Sequence, residues 1–325
     1  MLDSSSAPDP DVDADAVDVQ QRTAFEDELE RRRAEANMEV PIVAAIKDGR
    51  TEPVQPTRYL GSDSLRFRCH RAISCWNECC HDTQITLTPR DLSRLGGHLG
   101  MRPGEVAQRY AAPVVHEPSG MPVLRLAMRH TGTGRNPCVF LDPASGCTVY
   151  GDRPAACRYY PLGLATVKMK GHDAPEDFYF LVKEPHCKGH EQVHEQTVAQ
   201  FREGQQLADF DEHNRDWMLI LMKLASWKSL GGPGGKEPDE RVRRMFLMIS
   251  TDPDAFRRFV FGSSFLARYA VAPEMRAQLE DDDEALMQLG FDWLRAVLFN
   301  EPTLHLREHV LQQAIAKVRS ETGAV

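Results

Sequence analysis

Cysteine is absent from the first 68 residues and from the last 138 of this 325-residue chain, so all eight thiols fall in one internal stretch. Lysine and arginine are absent from the first eighteen residues, which hold six aspartates. That excludes the basic start of a cleaved secretory signal and points to a cytoplasmic protein. No apolar run approaches the roughly 20 residues that cross a bilayer. The longest, residues 217–227, is broken by Lys223 and Ser226 and reads as a buried helix, so no membrane partner is expected. A formal charge of -9 argues against broad nucleic-acid binding, although residues 61–192 are mildly basic, with 16 Lys and Arg against 13 Asp and Glu. No P-loop or dinucleotide fingerprint surrounds the one glycine-rich loop that precedes Arg135.

What remains is organised around thiols. Residues 1–22 read as a disordered acidic tail and 23–60 as a short helix and a proline-punctuated linker. Residues 61–194 form the cysteine-cluster domain, with mixed signals. Thr88-Pro89-Arg90-Asp91 is a helix start with an N-cap and a first-turn proline, followed by Leu92, Leu95 and Leu99 on one face. A second helix is expected over 104–110. Strands are expected over 85–88, 121–128, 138–141 and 147–150, with a hairpin from 162–169 and 178–183. From Glu195 the helical period dominates: an extension over 195–230, a Gly/Pro linker at 231–238 and a helical domain over 239–325. The expected fold class is α+β, a small cysteine-rich metal-binding domain followed by a helical C-terminal region that offers a surface to a protein partner.

In a reducing compartment such thiol density reads as metal ligation rather than disulfides. The candidate ligands are Cys69, Cys75, Cys79, Cys80, Cys138, Cys147, Cys157 and Cys187. Cys75 and Cys79 are four apart, so a helical turn would put both on one face. Adjacent Cys79 and Cys80 cannot both serve one ion without strain, which suggests two neighbouring centres, one bridging thiolate, or one non-ligand. Asp152 with Pro154 marks a helix start that would hold Cys157 near the positive dipole end, where a thiolate is stabilised, with Arg153 and Arg158 beside it. We expect Cys138, Cys147 and Cys157 to converge on the 69–81 segment. Soft thiolate ligands suit zinc or an iron–sulfur cluster. The spacing matches neither the ferredoxin runs nor the paired Cys-x-x-Cys knuckles of a zinc ribbon.

The cluster ending in Cys79-Cys80, the run Cys138-Val139-Phe140-Leu141-Asp142, Gly146-Cys147-Thr148-Val149-Tyr150 and Asp152-Arg153-Pro154-Ala155-Ala156-Cys157-Arg158-Tyr159-Tyr160-Pro161 resemble the YkgJ-type cysteine-cluster family. That resemblance implies a zinc- or iron-chelating domain. The family's Cys-x-x-Cys-x-x-Cys-Cys core is here spaced five and three residues apart instead of two and two. A more distant resemblance to flagellin lysine N-methylases implies a second reading, an iron–sulfur-dependent protein-modifying or redox enzyme, although no glycine-rich adenosylmethionine loop follows a strand. A third reading is an interaction module with a purely structural metal.

Overall fold

The computed structural model describes residues 54–132, 134–167, 176–229 and 238–322. The acidic tail, the helix expected within 23–36 and the glycine-rich linker up to residue 237 lie outside them. The described chain runs β1 (Val54–Tyr59), β2 (Ser64–Arg66), β3 (Thr86–Leu87), α1 (Pro89–Leu99), α2 (Pro103–Tyr110), β4 (Ala111–His116), β5 (Met121–Leu126), β6 (Leu141–Asp142), β7 (Gly146–Cys147), α3 (Ala155–Tyr159), β8 (Leu162–Val167), β9 (Glu176–Val182), β10 (Glu195–Thr197) and α4 (Val198–Gly204). It continues through α5 (Leu207–Ser229), α6 (Glu240–Thr251), α7 (Pro253–Gly262), α8 (Phe265–Arg268), α9 (Pro273–Gln278), α10 (Asp283–Phe299) and α11 (Glu308–Thr322).

The architecture is α+β. Four small antiparallel sheets, ordered β1-β9-β8, β10-β2, β3-β5-β4 and β6-β7, carry the cysteine region, and helices make up the rest. Residues 195–197, expected to begin a helix, instead pair as β10 with β2, and the helix starts at Val198 behind the Thr197 cap. The strands expected around Cys138 and Cys147 are shorter than their patterns and shifted, Leu141 facing Cys147 and Asp142 facing Gly146. Asp142 Oδ1 takes the N–H groups of Ala144 and Ser145, so local side-chain capping competes with a longer ladder.

The α1 cap forms as its sequence dictates. Thr88 Oγ1 accepts the Asp91 N–H at 3.1 Å and Asp91 returns by accepting the Thr88 N–H at 2.8 Å. The other Asp91 oxygen accepts the Ala155 N–H at 2.7 Å, fixing the start of α3 against α1. Burial pushes the Asp91 carboxyl up to about 6 against the pull of those bonds from Thr88 and Ala155.

Three apolar clusters result. The largest joins Trp217, Ile220, Leu221 and Leu224 of α5 to Phe246, Phe256 and Leu286 of the later helices, together with Met121 and Val123 of β5. Leu124 and Leu126, on the opposite face of β5, join the second cluster with Leu87, Leu92, Leu95 and Phe140. The third gathers Leu65, Phe67, Leu162, Tyr179 and Phe201. β5 is therefore the wall between the helical core and the cysteine-bearing region.

Candidate metal centre

The 69–81 segment is a chain of turns, closed by N–H bonds from Ile73 to His70, Trp76 to Ile73 and Glu78 to Cys75. It ends in a single 3-10 turn, Glu78–Cys80. Asn77 precedes that turn in the left-handed region, at φ 70°. The helical turn expected to align Cys75 with Cys79 is thus broken between them. Cys75 is turned toward another segment, where its Sγ accepts the Lys188 N–H at 3.1 Å.

Long-range ties hold the segment down. Trp76 lies on Gly146, where a β-carbon would come within 2.6 Å of the indole, and the Arg71 guanidinium stacks 5.0 Å from the same ring. Arg71 also donates to the Ser145 carbonyl at 3.2 Å. Arg135, from the glycine-rich loop, donates to Glu78 and to the His81 carbonyl, both at 2.8 Å. Cys138 donates its N–H to the Cys80 carbonyl at 2.8 Å, bringing it against the Cys79-Cys80 pair.

Downstream, the Phe140 N–H points at the Cys138 sulfur at 3.5 Å, and the backbone N–H groups of Val149 and Gly189 pull the pKa of Cys147 and Cys187 down against burial. Such bonds favour the thiolate. Cys157 sits in α3, a helix of five residues capped by Pro154, not by Asp152. Asp152 lies in the preceding 3-10 turn, paired with Arg94 at 2.8 Å and His98 at 3.0 Å. The dipole stabilisation expected for Cys157 does not prevail. Burial, then the neighbouring Cys138, Asp91, Cys79 and Cys147, push its thiol well above the ordinary range.

The thiols influence one another electrostatically. Cys69 is pushed up to about 11, first by desolvation and then by Cys79, Cys75 and Cys187. Cys79 is raised by its hydrogen bond with Cys80, then by burial, with Glu184 adding negative charge. Burial raises Cys138, with Cys147 and Cys79 beside it, and raises Cys187, with Cys75 and Cys79 beside it. Arg153 opposes these effects at Cys69 and Cys147, and Arg129 does so at Cys138. Arg158 is otherwise engaged, donating to the Arg153, Gln205 and Gly151 carbonyls.

Residues outside the cysteine reading also line the region. The Tyr160 hydroxyl is buried without a hydrogen-bond partner among the described residues, and Glu184 adds negative charge that acts on both Tyr160 and Cys79. A pocket of about 410 Å³ opens beside Cys187, walled by Lys183, Glu184, His190 and Glu191. No local sequence pattern marks Glu184, because it arrives through the β8–β9 hairpin and the turn after it, whereas Tyr160 directly follows α3 in the run that ends at Pro161. His81 Nδ1 meets the Asn77 carbonyl at 3.1 Å and His70 Nε2 meets Gln192 at 3.3 Å, so both rings have protein partners.

All eight cysteines are free. The donor chemistry, soft thiols gathered from separate turns with backbone N–H groups aimed at their sulfurs, fits zinc or iron. Among the described residues no three His, Cys, Asp or Glu side chains are already arranged to hold an ion. Coordination therefore has to draw the sulfurs together. Cys69 and Cys79 are exposed, giving an ion a way in. Among the described residues no helix is long and apolar enough to cross a membrane.

No curated protein and no solved structure matches the chain. Residues 68–197, which hold all eight cysteines between them, match the family model CxxCxxCC, which is described as "Putative zinc- or iron-chelating domain".

Proposed function

We propose that this protein is a cytoplasmic metal-binding protein that holds zinc or an iron–sulfur cluster through Cys69, Cys75, Cys79, Cys80, Cys138, Cys147, Cys157 and Cys187. The observation that carries this reading is the joining of the cysteine-bearing turns: the Cys138 N–H bonds the Cys80 carbonyl, Leu141 pairs with Cys147, and the Lys188 N–H beside Cys187 bonds Cys75 Sγ. Packing alone gives no reason to gather so many like groups that repel once ionised.

The chain's own residues supply what a thiolate site needs. Phe140 and Lys188 aim backbone N–H groups at the sulfurs of Cys138 and Cys75. Arg129 and Arg153 offset the negative charge, and Asp91 fixes the helix that carries Cys157. A bound zinc ion supplies a cross-link between these turns, and an iron–sulfur cluster supplies an electron acceptor as well.

Anaerobic purification followed by metal analysis and an absorption spectrum tests the reading. Stoichiometric zinc in a colourless protein, or iron with visible absorption that bleaches with dithionite, supports it. Loss of that metal is expected in Cys138→Ser and Cys157→Ser. A chain that keeps neither zinc nor iron above trace, and takes up neither on reconstitution, overturns it.

A further inference from the structure

The last helix stands apart from every core. Its root is pinned: the Arg307 N–H donates to the Arg268 carbonyl at 2.8 Å, the Ala270 N–H donates to the His305 carbonyl at 2.9 Å, and Leu306 bridges to Tyr269. Leu304, just before this root, still packs against the helical core. Beyond it α11 leaves the body, and among the described residues none of its apolar side chains joins any of the three clusters. Leu311 and Ile315 are 40% and 37% exposed. A helix of 15 residues without tertiary support is marginal in water, because nucleation is unfavourable and only a few turns follow it. The apolar side of α11 therefore calls for a surface to lie against. Glu308, Leu311, Ile315 and Arg319 are spaced three, four and four residues apart, so they follow one another along one face. From its start that stripe is acidic, apolar, apolar and basic. Its apolar pair and its charged pair are both centred on the same turn, near Gln313.

We propose that α11 is a dimerisation element that pairs antiparallel with α11 of a second copy of this chain, about a twofold axis beside Gln313. A surface used in this way has to be complementary to itself. Turning the stripe about that axis sets Leu311 beside Ile315 of the partner subunit and Glu308 beside Arg319 of the partner subunit, and the symmetry makes each contact twice. Antiparallel pairing also sets the positive end of each helix dipole against the negative end of the other. A parallel pair would instead set like charge on like charge at both ends of the stripe. Gln312 donates to Glu308 at 2.7 Å, which holds the carboxylate along the helix. The polar side argues against a lipid surface as the occupant. Glu308, His309, Gln312 and Gln313 include no lysine or arginine, whereas a helix lying on an anionic membrane presents rows of them. Two helices of three to four turns bury less than the roughly 1,600 Å² of a standard stable interface, so the dimer is reversible and concentration-dependent. No cysteine takes part in the pairing, which stands apart from the metal reading.

Sedimentation equilibrium of the full-length protein between about 5 and 500 μM tests this. Wild type is expected to pass from monomer to dimer within that range. Leu311→Lys and Ile315→Lys are expected to remain monomeric throughout, with the tryptophan fluorescence of the helical core unchanged. Glu308→Lys and Arg319→Glu are each expected to weaken the dimer roughly three- to tenfold. An equimolar mixture of those two variants should recover the lost affinity, because in the mixed dimer both charged contacts again join opposite signs. A wild type still monomeric at about 500 μM, a dimer that Leu311→Lys leaves intact, or a mixture that associates no more tightly than either variant alone overturns the proposal. Binding of a monomeric wild type to vesicles of anionic phospholipid would assign α11 to a lipid surface and overturn it as well. None of these outcomes bears on metal content, which is measured separately on the same samples.

Discussion

Gly146 holds φ at +89° directly under the Trp76 ring, with 2.6 Å between the indole and the place a β-carbon would occupy. Two penalties therefore meet in one substitution, a left-handed backbone and a clash with a bulky ring. Gly146→Ala is expected to destabilise the protein by about 2–4 kcal/mol and to lift Trp76 away from Arg71. Urea denaturation followed by tryptophan fluorescence checks it, and an unchanged midpoint refutes it. His116 makes a pH prediction at the same scale. Its Nδ1 meets the Ser119 hydroxyl at 2.7 Å, and burial, assisted by Lys228 and opposed by Glu117, lowers its pKa below the ordinary 6.5. The native state thus disfavours the charged ring. Its contribution to stability is complete above 6.5 and is lost as pH falls through the lowered value. His116→Gln should remove part of the stability lost on going from neutral to mildly acidic pH. An identical pH slope in the variant counts against the assignment. Neither role is visible in the sequence, because Trp76 and Gly146 are seventy residues apart and the burial of His116 depends on how the β4–β5 hairpin meets α5.

Elements that the sequence marks most clearly are those whose signals are local. The Thr88-Pro89 start of α1, its cap at Asp91 and its apolar face fall where their pattern puts them, because capping and helical period act within one or two turns. Cys75 and Cys79 show the opposite case, since a helical spacing there is overridden by the left-handed Asn77 and by the Lys188 N–H from a distant turn. The same limit applied to Asp152, where a cap-like residue is used for Arg94 and His98 and α3 starts later. β5 repays testing as an element, since its two faces belong to different clusters. Val123→Ala should cost about 1–3 kcal/mol from the helical core with metal retained, whereas Leu126→Ala should cost about 2–5 kcal/mol and loosen the metal. Thermal unfolding together with metal content distinguishes them. Equal metal loss in both variants would contradict the division of β5 between two cores.

At the scale of the whole molecule, the cysteines and the largest core do not overlap. No cysteine belongs to the cluster built from α5, α6, α7 and α10, while four of them pack in or against the other two. The class of the fold was readable from where strand and helix periods change. Which apolar cluster each cysteine-bearing turn rests upon was not, because that is settled by contacts such as Phe67 on Gly189 across more than a hundred residues. A ligand that binds only the folded form adds its binding free energy to the stability of whatever it joins. On the proposed reading a metal would join the cysteine turns, not the helical core. Stripping the metal with a chelator is therefore expected to raise amide hydrogen exchange in residues 69–81, 138–157 and 183–191, and to leave α5, α6, α7 and α10 protected. The far-ultraviolet dichroism should fall little, since the long helices carry most of it. Readdition of zinc should restore protection in the three segments together. Uniform loss of protection through α5 and α10 would mean that the metal supports the entire fold, and unchanged exchange in residues 69–81 would mean that it does not organise the cysteine turns at all.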